Sequence, residues 1–592
     1  MQIFDARTLP ASVCYDVVVI GAGGAGMAAA LFAAIDGKNV LLVERSSHVG
    51  GTTAYSAGTT WIPGTHHAAT VNPADTLADA ARYLDNAVGD RTPAALRRAF
   101  LDNGPRAVAK IEANSDVKYR PCAKHPDYIS DLGGSTLNGR ALEPLPFDGR
   151  LLGELFALIR PPIPEFTVLG GMMVDRSDIN HLLGMTRSLA SFQHAVKLMA
   201  RQLSDRLRHP RGTRLVMGNA LVGRLLYSLS RRANVSLALN TSVECITCAA
   251  GSGSGGSAAV ESVTLLQNGQ PSGQRCTVRV TGGVILASGG FNRHPQLRPD
   301  MLPGVDAKWC PAAPGHTGAA HDLARQLGAH YATGAMSHAF WAPVSLRQRA
   351  DGSTAVFPHF VMDRAKPGML TVNQAGARFV NESTSYHLFA LAMQQSTPPA
   401  VPAFLICDAD ALRKYGLGMV RPGGKGLGPF LADGYLTQAD TLDALAHKLG
   451  INAAGLKASV AKLNAYAESG VDADFQRGVT AYQQNLGDPT WSGKNPNLGA
   501  LTRAPYYAVR LYPGDIGAAT GLATNGDAQV LDESGAPIAG LYAVGNDMHS
   551  IMGGVYTAPG ITLGPGLVFA YQAARHAAAA AQASRSSSAT GR

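Results

Sequence analysis

Residues 15–45 constrain this chain more than any other stretch. Tyr15-Asp16-Val17-Val18-Val19-Ile20 is an apolar run of strand length, ending in Gly21-Ala22-Gly23-Gly24-Ala25-Gly26. An Ala-rich helical stretch follows, then a second apolar run, Asn39-Val40-Leu41-Leu42-Val43, closed by Glu44. Apolar runs without alternation suit strands buried on both faces of a parallel sheet. A Gly-x-Gly-x-x-Gly turn between such a strand and a helix is the dinucleotide-binding arrangement. Gly21 makes the turn, Gly23 lets backbone amides approach a pyrophosphate, and Gly26 lets the helix pack closely on the strand. Gly24 and Ala25 open the helix, where free N–H groups and the macrodipole favour an anion. Glu44 is placed for ribose hydroxyls and repels a 2′-phosphate, which leaves NAD or FAD. The predicted fold is α/β, built on a Rossmann-like domain.

At 592 residues the chain exceeds a single core, so a further domain is expected. The net charge of +9 raises nucleic acid or an anionic membrane as partners. No zinc-finger spacing or aromatic-interleaved basic motif accompanies it, so nucleic acid is excluded. No apolar run reaches the ~18 residues of a spanning helix. Asp5 and Arg7 precede only a short apolar run, which is not a leader pattern. Seven Cys with no small-domain framework point to a reducing, cytoplasmic setting. Cys245 and Cys248 form a lone CxxC that cannot supply four ligands; they read as buried structural thiols, and no metal site is expected.

A second glycine-rich loop, Gly50-Gly51-Thr52-Thr53-Ala54-Tyr55-Ser56-Ala57-Gly58, follows Arg45 directly. Its position resembles the two-dinucleotide-binding-domain flavoproteins, where this loop runs past the flavin. Val284-Ile285-Leu286-Ala287-Ser288-Gly289-Gly290 and Gly540-Leu541-Tyr542-Ala543-Val544-Gly545-Asn546-Asp547 resemble that family's later cofactor segments. The resemblance implies FAD, held by Gly21, Gly23, Gly24, Ala25, Gly26, Glu44, Arg45, Gly51, Thr52, Thr53, Ser56, Gly58, Gly289, Gly290, Gly545, Asn546 and Leu563. The loop after Gly50 lacks the flavin-linking His of the succinate dehydrogenase pattern, which implies non-covalent binding. Residues 250–257 read as a Gly/Ser surface loop. From 293 to 502 the pattern changes to short strands, Pro-rich loops and helices such as 441–468. The expected organisation is a flavin domain over 1–292, interrupted by an apolar and basic segment at about 151–212. An inserted α+β catalytic or capping domain covers 293–502, and the flavin domain resumes over 503–592. The Ala/Ser-rich tail from about 579 is expected to end in disorder.

The whole order is similar to the flavoprotein family of fumarate reductases and 3-ketosteroid dehydrogenases, whose shared motif matches Val372-Asn373-Gln374-Ala375-Gly376-Ala377-Arg378-Phe379-Val380-Asn381-Glu382. Where fumarate reductases carry a His and an Arg that clamp dicarboxylates, this chain has Ser550 and Thr562, which disfavours that branch. It resembles the ketosteroid 1-dehydrogenases at Tyr556 and Gly560, at Tyr386, and at Tyr128 after Pro126-Asp127. The resemblance implies that the Tyr556 hydroxyl and Gly560 N–H hold a 3-oxo group, and that Tyr386 takes the proton from carbon 2. Tyr128 assists, and hydride passes from carbon 1 to the flavin. A 3-oxosteroid is then the substrate, with an electron acceptor the sequence does not identify. Desaturation at another bond, such as 4-dehydrogenation, or of another cyclic ketone stays open within this class. A flavin carrier without turnover is the alternative from another class, and a fumarate reductase a weaker one.

Residues 186–208 are outside the resemblance. Leu189, Phe192, Val196, Met199, Leu203 and Leu207 recur at helical spacing, while Lys197, Arg201, Arg206 and Arg208 fall largely off that face. Two readings stand: a helix packed on the flavin domain by its apolar face, or a membrane-facing lid giving peripheral membrane contact.

Overall fold

The computed structural model describes residues 1–5, 8–9, 13–186, 188–249, 259–267, 275–360 and 363–590; the Gly/Ser loop expected at 250–257 lies outside them. Strand Cys14–Ile20 pairs in parallel with Val40–Val43 on one side and with Arg275–Leu286 on the other. Val235–Ala238 extends the sheet beyond Val40–Val43, and Pro537–Ala543 pairs with Arg275–Leu286, again in parallel. Val17, Val18, Val19, Val40 and Leu41 are fully buried, as a sheet covered on both faces requires. Helix Gly24–Ile35 covers one face through an almost wholly buried run of alanines, Met27, Leu31 and Phe32. An antiparallel meander, Thr241–Cys248 and Val260–Gln267, joins Arg275–Leu286, and with Gln2–Phe4 beside Val235–Ala238 and Gln529–Leu531 beside Pro537–Ala543 the sheet has nine strands among the described residues.

A second sheet of six strands is antiparallel throughout. Its order runs Thr354–Pro358, Ala339–Gln348, Tyr506–Ala518, Ala403–Cys407, Met369–Val372, with Thr437–Ala439 also on Tyr506–Ala518. The boundary expected at 502 thus falls just before a strand that pairs only within this sheet. The helix expected over 441–468 is two, Leu442–Leu449 and Ala453–Ser469, because Gly450 caps the first in a left-handed conformation (φ +74°).

Three expectations need correction. Cys245 is exposed and Cys248 only half-buried, on a strand with bulges beside both, so neither is a core thiol. The tail is helical as far as Thr590, in a helix that starts at Leu563; Arg585 there pairs with Asp16 at 2.6 Å. Ala-rich sequence propagates an existing helix well, so the tail continues one whose first turns are buried. The third concerns helix Leu189–Arg206. Ala195, Leu198, Gln202 and Asp205 are its buried residues, while Leu189, Phe192, Val196, Leu203 and Leu207 face solvent. Asp205 accepts from the Thr213 amide (2.8 Å) and hydroxyl (2.7 Å), which turns the polar side inward. No helix among the described residues is long and apolar enough to cross a membrane.

Candidate functional site

The carboxyl ends of Cys14–Ile20, Val40–Val43, Arg275–Leu286 and Pro537–Ala543 open on one cavity of about 620 Å³. Ligands of open parallel sheets bind at such ends. Gly21 has φ +106°, and a Cβ there would lie 2.4 Å from the Ala287 carbonyl oxygen; one on Gly26 would lie 1.8 Å from the Gly21 oxygen. These two glycines let helix and strands interpenetrate. Gly23 is different: nothing lies within 4 Å of its missing Cβ, and its edge faces the cavity. Gly23 caps the helix with no side-chain bond, leaving the helix N-terminus open to an anion. The Glu44 carboxylate, on the same wall, is fixed by the Ala22 amide (3.0 Å) and by the Ser46 amide (2.9 Å) and hydroxyl (2.7 Å).

The glycine-rich loop is a turn of 3₁₀ helix, Gly51–Tyr55, held against the dinucleotide turn by Gly24 N–H donating to Thr53 Oγ1 at 3.1 Å. Thr52 Oγ1 and His316 Nε2 are 2.9 Å apart. Burial, with smaller contributions from Arg293 and Arg160, pushes His316 down to about 4, so its ring is neutral at ordinary pH. The Nδ1 atom of His316 is buried without a partner among the described residues, as a group awaiting a cofactor atom would be. Asp547 joins the two later segments: it accepts from Ser288 N–H and from Gly290 N–H (2.9 Å), tying Ser288–Gly290 to Gly545–Asp547. Size, open helix terminus, ribose-facing acid and orphaned imidazole nitrogen fit a dinucleotide.

Beyond this cradle the cavity becomes aromatic. Tyr128, Tyr386 and Tyr556 reach it from three separate regions. The Tyr128 hydroxyl donates to the Tyr386 hydroxyl at 3.1 Å. Tyr128 and Tyr556 stack at 5.6 Å, and both meet the Tyr386 ring edge-on, at 5.5 and 5.0 Å. Burial raises all three phenols. Tyr128 and Tyr386 lie well above their usual value, with neighbouring tyrosines adding to the rise, and Tyr556 is pushed up to about 12.

Each tyrosine is fixed by its own local structure. Tyr386 opens helix Tyr386–Gln395, capped by Ser385. The preceding motif holds that helix start: Gly376 turns the chain (φ +71°), and Arg378 pairs with Glu382 (2.7 Å) and Asp472 (2.8 Å). Tyr128 follows Asp127, a buried carboxylate that accepts from Trp61 Nε1 (2.9 Å) and Arg140 (2.9 Å). The Tyr128 amide donates to the Thr557 carbonyl at 2.8 Å, binding it to the loop of Tyr556. Gly560 has φ +89°, and a Cβ there would lie 2.4 Å from the Thr59 carbonyl oxygen. No described residue accepts from the Gly560 N–H.

Of the residues singled out from the sequence, Gly26 and Gly290 are absent from the cavity wall; the others lie on it. Gly26 packs helix on strand, and Gly290 gives its amide to Asp547. Sequence reasoning missed His316, Arg160, Phe340, Phe360, Ile163 and Phe166 on the wall, and Tyr482, whose ring lies 4.7 Å from Tyr128. None of these carries a local pattern. The one cluster with metal-ligand spacing among the described residues, His66, His67 and Glu112, is not on this wall, and both imidazoles already bond the carboxylate.

A family model described as "FAD binding domain" matches residues 16–563. The chain is 36% identical over 588 residues to a 4-oxocyclohex-2-ene-1-carboxylate 5-dehydrogenase of Sinomonas cyclohexanicum, covering 98% of this chain and 96% of that one. It is 35% identical over 581 residues to a 3-oxosteroid 1-dehydrogenase of Mycolicibacterium smegmatis, covering 96% and 98%. The crystal structure of a 3-ketosteroid delta1-dehydrogenase from Sterolibacterium denitrificans, in complex with 1,4-androstadiene-3,17-dione, superposes with a TM-score of 0.87 at 34% identity. It covers 96% of this chain and 99% of that one.

Proposed function

From a chain that belongs to the FAD binding domain family, we propose a dehydrogenase that introduces a carbon 1–carbon 2 double bond into 3-oxosteroids. The observation that carries this reading is the convergence of three phenols on an apolar chamber continuous with the dinucleotide cradle. A flavin carrier has no use for such a set. When bound, FAD supplies the hydride acceptor; the glycine turn would hold its pyrophosphate, Glu44 its ribose, and Gly51–Ser56 would run beside its flavin. The Gly51–Tyr55 turn contains no His or Cys, which supports non-covalent binding. Acid precipitation should therefore leave yellow flavin in the supernatant and a colourless pellet.

The Tyr556 hydroxyl and the unengaged Gly560 N–H are two donors suited to one ketone oxygen. Such donors stabilise the enolate that develops as an α-proton leaves. Tyr386 receives that proton, and Tyr128 donates to the Tyr386 oxygen, steadying charge on it. Phe340 and Phe360 pack edge-on against Tyr556 and Tyr386, at 5.2 and 5.0 Å, and exclude water.

A cyclic keto acid is the second reading, on the strength of the first relative above. A carboxylate needs a cation or a set of N–H donors. The two arginines of the wall belong to the cofactor end: Arg160 bonds Ser46, next to Glu44, and Arg45 bonds Thr317. The tyrosine chamber has no Arg or Lys among the described residues, which favours an uncharged steroid. Anaerobic mixing with a 3-oxo-4-ene steroid should bleach the flavin rapidly, 4-oxocyclohexanecarboxylate weakly, and succinate not at all. Faster bleaching by the keto acid would overturn the substrate assignment.

Peripheral contact with an anionic membrane belongs to the same reading. Segment 151–212 sends Ile163 and Phe166 to the cavity wall, and Glu165 ties it to Arg349 at 2.9 Å. The same segment exposes Leu151, Leu169, Leu189, Phe192, Val196, Leu203 and Leu207, with Lys197, Arg206 and Arg208 also exposed. Apolar side chains flanked by cations fit an anionic bilayer surface, from which a water-insoluble substrate would enter.

A further inference from the structure

Away from the cavity, Glu112 is a nearly buried acid without a fixed cation on its carboxylate. It stands in the last turn of helix Ala94–Asn114, a turn that carries no basic residue. Its side chain is only 10% exposed, and an ionised carboxylate taken out of water needs compensating charge. Among the described residues no Lys or Arg pairs with that carboxylate, and Lys118 donates its Nζ to the Glu112 main-chain carbonyl instead. The helix macrodipole also sets negative charge at this end, where it favours a cation.

What meets the carboxylate is a pair of adjacent imidazoles. His66 Nε2 lies 3.0 Å and His67 Nε2 2.9 Å from the same oxygen, Oε2, with the two ring centroids 4.0 Å apart. The other oxygen, Oε1, lies 3.1 Å from His67 Nε2 and accepts the Tyr119 amide at 2.8 Å, which fixes the orientation of the carboxylate. Hydrogen bonds of this kind orient metal-ligating acids. The three ligand atoms lie within 4.8 Å of one another. Around a tetrahedral zinc, with bonds of about 2.0–2.1 Å, neighbouring ligand atoms are about 3.3 Å apart. The imidazole–carboxylate distances fall just short of that spacing, a difference that small side-chain rotations supply. The histidines end a loop that leaves strand Thr60–Trp61 and turns at Gly64 (φ +70°). Trp61 N–H donates to the Gly560 carbonyl at 3.2 Å, so the strand leading into this loop backs the Gly560 turn.

We propose that His66, His67 and Glu112 bind one divalent transition-metal ion, zinc being the ion they suit, which ties the loop after Thr60–Trp61 to helix Ala94–Asn114. Two imidazoles with one carboxylate select zinc over magnesium or calcium, which take oxygen ligands. His66 is exposed, which leaves the fourth position to water. None of the three residues lines the cavity, so the ion is structural and takes no part in flavin reduction.

The test is a calorimetric titration of flavin-loaded protein with zinc chloride, after EDTA treatment and exchange into chelator-free buffer. Cys245 and Cys248 offer zinc a second, thiolate pair, so every arm carries Cys245→Ser/Cys248→Ser. One equivalent of zinc should bind, magnesium should not, and zinc should raise the temperature at which the protein releases flavin. His66→Ala and His67→Ala should each weaken zinc about 10²-fold and remove the thermal shift, since even outer-shell partners are worth ~10–100-fold in affinity. Glu112→Gln should do the same; should it not fold, the exposed His66→Ala decides. Absence of saturable zinc binding in the parent, or equal affinity in the parent and the two histidine variants, would overturn the proposal.

Discussion

Tyr386, Tyr128 and Tyr556 are chemically the same group, and only their neighbours set them apart. Tyr386 is the one whose oxygen accepts the Tyr128 hydroxyl, so a charge on it is shared with that donor. Removing that oxygen removes the proton acceptor, while removing the Tyr556 oxygen removes one of two donors to the ketone. Tyr386→Phe and Tyr556→Phe should each retain flavin and lower the rate of flavin reduction by about 10²-fold or more. Tyr128→Phe should lower it less, because Tyr128 acts through Tyr386; single-turnover reduction under anaerobic conditions checks the order. A Tyr386→Phe protein that keeps near wild-type speed would move the base elsewhere.

Single elements explain why these side chains arrive together. The Arg378–Glu382 motif reads in sequence as a family signature, but physically it is a buried ionic staple in front of helix Tyr386–Gln395. Glu382 accepts from Arg378 (2.7 Å), Arg477 (3.1 Å) and the Thr371 amide (3.1 Å). Glu382→Ala would strand buried guanidinium charge, and a loss of about 3–5 kcal/mol is expected by denaturant titration. The parallel sheet and the glycine cradle were legible in the sequence because backbone geometry dictates residue type there. Only glycine survives where a Cβ would meet the Ala287 or Gly21 oxygen. His316 was not legible, since it gains its role from Thr52, a partner distant in the chain. Helix Leu189–Arg206 marks another limit. Its apolar stripe was visible, but periodicity defines a face without saying which way it points, and Asp205 decides that by binding Thr213.

Across the whole molecule, buried imidazoles and the exposed apolar stripe of segment 151–212 set how it responds to its surroundings. Burial holds His387 down to about 3 and His549 down to about 4, whereas an unfolded histidine titrates near ~6.5. Between those values the unfolded chain binds the proton and the folded one does not, so stability falls as pH drops from ~6.5 towards 4. Each residue contributes about 3 kcal/mol to that fall. Asp363, which contacts with His359 hold at about 2 despite burial, adds a loss of the same sign only below ~4. Urea titrations at pH 7, 5.5 and 4.5 should show the decline. His549→Leu should flatten it, since neither ring nitrogen of His549 has a partner among the described residues. At neutral pH the surface of segment 151–212 matters more. Leu203 and Leu207 are 71% and 86% exposed, and Phe192 and Val196 lie on the same stripe. Apolar insertion is insensitive to salt, while attraction of Lys197, Arg206 and Arg208 to anionic headgroups is screened within ~10 Å at 0.1 M. The protein should therefore co-sediment with anionic liposomes at low salt, weaken at high salt, and bind zwitterionic liposomes poorly. Phe192→Glu/Leu203→Glu should abolish co-sedimentation while the flavin still bleaches with a detergent-dispersed steroid, because neither residue lines the cavity. Wild-type protein that stays in the supernatant with anionic liposomes at low salt would remove the membrane from the account.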